Sequence, residues 1–130
     1  MAILGMKKQT SLSYDQALAA LPDLLKGEGF GIITEIDMRE TLKKKIGADI
    51  RRYKILGACN PSFANEALAS DIDIGIMLPC NVAVYEGDDG HAVVGTIDPV
   101  KTMAGHDSPA IAAVAAKVRA RLEAVLGKLA

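Results

Sequence analysis

Residues 54–86 read KILGACNPSFANEALASDIDIGIMLPCNVAVYE. This stretch holds the most strand-like apolar runs, both cysteines (Cys59 and Cys80) and two of the five prolines, Pro61 and Pro79. Each cysteine is followed by an asparagine, Asn60 or Asn81. Residues 53–58 read as a strand that Cys59-Asn60-Pro61 ends. Asn60 is a good N-cap and Pro61 a good first helical residue, which predicts a short helix over 61–69 with Phe63, Ala67 and Leu68 facing inward. Ile72, Ile74, Ile76 and Leu78 then alternate with Asp73, Gly75 and Met77, a period of two that predicts a strand over 71–78. Pro79 interrupts it as an edge position or a bulge, and VAVYE (82–86) resumes it.

Toward the N-terminus, residues 4–12 suggest a first strand. Ser13 with Gln16 three residues later forms a capping-box pattern before Ala17, Leu18, Leu21, Leu24 and Leu25, which recur at helical spacing. Pro22 lies inside that pattern, so the helix is expected to kink and continue. Gly27 and Gly29 stop it. The run GEGFG (27–31) follows a helix and precedes a strand, the wrong order for a dinucleotide-binding loop. It reads as a helix end feeding a strand over 30–36. Asp37 and Glu40 then cap a helix over 38–46, which Gly47 closes.

Toward the C-terminus, Gly87-Asp88-Asp89-Gly90 reads as a hairpin turn, with 91–97 returning antiparallel. Residues 98–107 read as a loop. Ser108 and Pro109 open the last helix, whose stripe runs through Ile111, Val114, Ala115, Val118, Leu122, Val125, Leu126 and Leu129. The expected fold class is α+β. A curved antiparallel sheet carries a long C-terminal helix and a kinked N-terminal helix, with two short helices inserted.

Composition narrows the function classes. The chain has 130 residues, 50% hydrophobic and 24% charged, which suits one globular domain. A net charge of −1 gives no long-range field toward nucleic acid or anionic membrane. Aromatics are 4% and tryptophan is absent, so stacking platforms for bases are scarce. Six of the fifteen basic residues fall at Lys43, Lys44, Lys45, Arg51, Arg52 and Lys54. They read as a solvated face rather than an anion site. MAILGMKKQ (1–9) lacks the order of an export signal, and no apolar run is long enough to span a bilayer. Two cysteines without such a signal point to the cytoplasm and to reduced thiols.

Few residues carry chemistry. Cys59 precedes a predicted helix N-terminus, where amides and the helix dipole favour a thiolate. Cys80 sits at the expected bulge, where side chains are often re-aimed. No C-x-x-C or H-x-x-x-H spacing signals a metal. Cys59, Cys80, Met38, Met77, Met103 and His106 are soft donors, but methionines of this kind are usually core. His91 and His106 form no recognisable nucleophile–base arrangement, and Glu35, Asp37, Asp71 and Asp73 mark caps or strand edges.

LGACNP (56–61), LPCNVAVYE (78–86), GFGIITEIDM (29–38), the lysines before Gly47 and the Asp98-Pro99 pair together resemble domain-of-unknown-function family 302. The resemblance runs from about Ser13 to Met103. It implies a fold similar to the TATA-box-binding-protein-like architecture: strand, helix, four antiparallel strands, helix. It carries over no catalytic residue, and fold alone does not carry function. If residues 51–58 and 72–78 ran parallel, both cysteines would share one sheet end. The resemblance implies antiparallel strands, which would put Cys80 several residues along from Cys59 and preclude a disulfide.

The reading that follows is a small cytoplasmic ligand-binding domain, expected as a homodimer. Its pocket is bordered by Cys59, Asn60, Cys80 and Asn81, with no metal and no nucleic-acid or membrane partner. Two alternatives stand beside it: a thiol-based redox enzyme or sensor using Cys59 or Cys80, and a structural dimerisation module without ligand. The residues name no cofactor and leave catalysis open.

Overall fold

The structure is a computed structural model that describes residues 5–130. Part of the first expected strand (4–12) and of the N-terminal segment read for an export signal falls on residues 1–4, outside the described residues. The elements follow in chain order: β1 (Gly5–Gln9), α1 (Tyr14–Gly27), β2 (Gly31–Asp37), α2 (Met38–Ile46), β3 (Tyr53–Cys59) and α3 (Pro61–Ser70). A 3₁₀ helix (Ile72–Met77), β4 (Cys80–Glu86), β5 (Ala92–Ile97), α4 (Pro99–Thr102) and α5 (Pro109–Gly127) complete the chain. The five strands form one antiparallel sheet in the order β1-β5-β4-β3-β2. The fold is α+β, as the residue pattern implies.

The caps form where the sequence signals them. Ser13 Oγ accepts from Gln16 N–H at 3.1 Å while Gln16 Oε1 accepts from Ser13 N–H at 2.9 Å, a closed capping box. Helix α1 runs on through Pro22. It ends where Phe30 N–H reaches back to the Leu25 carbonyl at 2.9 Å, with Gly29 at φ +86° making the left-handed turn. The glycine run is thus a helix end leading into β2. Asp37, Asn60 and Ser108 cap α2, α3 and α5 through their side-chain oxygens.

The core lies between one face of the sheet and the helices. Leu21 and Leu25 of α1 and Ile111, Leu122 and Val125 of α5 are fully buried with Val82, Val84 and Val94 of the sheet. Strand alternation puts Tyr53, Asn81, Ala83 and Tyr85 on the opposite face, where the two tyrosine rings stack at 5.5 Å.

The strand expected over 71–78 is not one: residues 72–77 form a 3₁₀ helix. Asp71 caps it by accepting the Asp73 N–H at 3.0 Å, and Leu78 N–H closes it on the Gly75 carbonyl at 3.1 Å. At three residues per turn, Ile72, Ile74 and Ile76 point in three directions, so one of them at most can face the core. Ile74 does, while Ile72 and Ile76 are 78% and 87% exposed. An alternating apolar pattern therefore matched a strand period by accident. Pro79, after a cis Leu78–Pro79 peptide, precedes β4 and does not interrupt a longer strand. The sheet's irregularity lies in β2 instead, between Ile32 and Thr34. The expected loop 98–107 also contains the short helix α4.

Candidate functional site

The β3–β4 register builds the site. Cys80 opens β4 directly opposite Ala58, the residue before Cys59. The strands are antiparallel, but because 72–77 is helical, Cys80 begins its strand and does not lie far along one. This corrects the expected separation: the two cysteines share one end of the sheet, and both are free thiols.

At that end the structure holds a partly enclosed cavity of about 330 Å³. Ala58, Cys59, Asn60 and Cys80 form its sheet side. Helix α3 supplies Phe63, Ala64 and Ala67, and α5 supplies Val114, Ala115 and Val118, the N-terminal part of its apolar stripe. Pro99 and Met103 come from the α4 segment. Among the described residues no charged side chain lines the cavity.

Of the four residues that the sequence singled out, the structure brings Cys59, Asn60 and Cys80 together. Asn81, the next residue along β4, turns to the other sheet face and borders a separate hollow with Tyr53, Ala83 and Tyr85. Pro99, Met103 and the α5 residues, like Ile33 and the α3 side chains, are parts of the cavity missed from the sequence. A local signal for α4 was present, since Asp98-Pro99 repeats the cap-then-proline pattern of Asn60-Pro61 and Ser108-Pro109.

Two polar ties hold the walls. Asp98 is buried: its Oδ1 accepts the Val100 N–H at 3.1 Å and its Oδ2 accepts from Arg119 Nε at 3.1 Å, fixing α4 to α5. His106 accepts the Ser108 N–H at Nδ1 (3.0 Å), so its proton sits on Nε2, which donates to Asp71 Oδ2 at 2.8 Å. Both ring nitrogens are committed, and the pair clasps the loop before α5 to the start of the 3₁₀ helix. The His106 hydrogen bond, with the Asp73 N–H second, holds the Asp71 carboxyl below the usual carboxylate range.

Burial sets the electrostatics of the thiols. Cys80 is buried, and desolvation, with the nearby Cys59 adding to it, pushes its thiol up to about 11. Asn60 Oδ1 is spent on the Phe63 N–H at 3.3 Å, which leaves its Nδ2 donor near Gly29. Among the described residues no group of three His, Cys, Asp or Glu side chains could hold a metal ion. The basic cluster is largely neutralised: Lys43 pairs with Asp49, Lys44 with Glu40, Arg51 with Asp88, Arg52 with Asp15 and Lys54 with Glu35. No helix among the described residues is long and apolar enough to cross a membrane.

Comparisons agree with this architecture. A crystal structure of an uncharacterized conserved protein DUF302 from Bacillus stearothermophilus superposes with a TM-score of 0.91 at 29% identity. The match covers 99% of this chain and 100% of that one. No curated protein matches the chain. The family model described as domain of unknown function DUF302 matches residues 6–129, and the chain belongs to that family.

Proposed function

We propose that the protein is a small cytoplasmic ligand-binding domain whose site is the cavity at the sheet end, bordered by Cys59, Asn60 and Cys80. The observation that carries the reading is the cavity itself. Its volume falls at the lower end of what small-molecule sites occupy, and its walls come from both the sheet and the helices α3, α4 and α5, as in preformed pockets between helices and a sheet. Asn81 belongs to the other sheet face and is left out of this site.

A neutral fluorescent dye, 1-aminoanthracene, tests the reading. Saturable binding is expected, together with its loss in Ala67→Phe, a substitution that drives a ring into the cavity. Unsaturable binding, or binding that Ala67→Phe leaves untouched in a folded protein, would count against the site.

The proposal includes a homodimer, supported by the face of the sheet that carries no core helix. There Ile36 is exposed beside the stacked Tyr53 and Tyr85. Sedimentation of dilute protein at twice the monomer mass would support it, and a monomer would remove it.

A second reading, thiol chemistry, is favoured by the position of Cys59. It is only half buried and lies in the cavity wall beside a second sulfur. Cys80 argues against its own use as a nucleophile, because burial keeps it protonated.

A further inference from the structure

We infer that the cavity takes neutral, largely apolar molecules and rejects carboxylates and phosphates. The inference rests on the reading of the cavity as a ligand site and gives that ligand a chemical class.

Charge excludes first. A ligand anion would leave water for a cavity that, among the described residues, has only uncharged side chains on its walls. An ionised group buried without a partner carries a penalty far above that of a paired one. The buried Asp98 carboxylate is already paired with the half-exposed Arg119, and it presents the wrong sign to an anion. The neighbouring thiols supply no positive charge either.

The walls offer a neutral ligand almost no polar partner. The cavity's side-chain amide is Asn60, whose Oδ1 accepts the Phe63 N–H and whose Nδ2 lies beside Gly29, outside the lining. The rest of the contact is aliphatic, from Ala67, Leu68, Val114 and Val118, with the Phe63 ring. A cavity of about 330 Å³ would hold roughly eleven waters at liquid density, which corresponds to a ligand of about ten to fifteen heavy atoms.

Three molecules of one shape separate the terms: benzylacetone (neutral ketone), isopentylbenzene (neutral, no acceptor) and hydrocinnamate (anion). Each is titrated into the intact protein at neutral pH while the backbone amide shifts of Ala67, Cys80 and Val114 are followed by NMR. Benzylacetone and isopentylbenzene are expected to move these amides, and hydrocinnamate to bind at least about a hundredfold more weakly than the ketone. Hydrocinnamate binding at these amides within about tenfold of benzylacetone would overturn the inferred class while leaving the cavity a ligand site. Failure of all three to reach these amides would overturn the ligand-site reading itself, and the inference with it.

Discussion

Cys80 stands opposite Ala58 across the β3–β4 ladder, so its thiol lies at the same sheet end as Cys59 yet meets a different environment. Cys59 is half buried, whereas Cys80 is buried and its thiol is pushed up to about 11 from 9.0. In the native protein at pH 8, a thiol reagent is therefore expected to modify Cys59 and spare Cys80, as peptide mapping would show. The sign for stability follows. The folded thiol ionises later than the unfolded one, so its contribution is intact below pH 9 and is lost as pH rises toward 11. A shift of this size corresponds to about 2–3 kcal/mol across that window. Cys80→Ala should flatten that part of the urea-stability curve; an unchanged slope would mean the thiol is not desolvated.

Gly57 is packed so closely that a Cβ there would run into the Thr34 hydroxyl of β2 and approach Pro79 Cγ to 2.8 Å. Gly57→Ala should destabilise the protein by about 1–3 kcal/mol in urea denaturation, the usual cost of overpacking. Gly31→Ala is the control: its Cβ would meet nothing within 4 Å, and its φ is not left-handed. That change should be neutral or slightly stabilising. Similar losses from both would show that the close approach at Gly57 is not what limits the site.

The clasp between His106 and Asp71 ties the loop before α5 to the 3₁₀ helix that leads into Leu78 and Pro79 of the cavity wall. His106→Ala is expected to speed amide hydrogen exchange in 72–77 and 103–108 while leaving the central strands protected. Because the folded Asp71 carboxyl sits below 3.8, the stability it contributes is present above that value and is lost as pH falls through the depressed one. The acid limb of the stability curve should flatten in His106→Ala. Unchanged exchange in both segments would show that the clasp holds nothing.

Local signals made most of the fold legible. Ser13 with Gln16, Asn60-Pro61 and Ser108-Pro109 each announce a helix start by chemistry confined to a few residues, and each helix forms there. The stripe along α5 likewise specifies its buried face. The segment 71–78 misled because alternation is a statement about two faces only when the backbone is extended, and a capping Asp71 with Gly75 lets it coil. That one change of element relocated Cys80 to the start of β4. The pairing of Cys59 with Cys80 in one cavity was legible as proximity in type, not in space. Asp98-Pro99 carries a local helix-start signal, whereas Met103 and Val114 join the site through tertiary packing that no local pattern records.

The most direct measurement is a crystal of the protein pressurised with xenon, which enters dry apolar cavities of this kind. The account predicts a xenon peak between Ala67, Cys80 and Val114 that disappears in Ala67→Phe. A filled, peak-free interior at those residues in the native protein would contradict it.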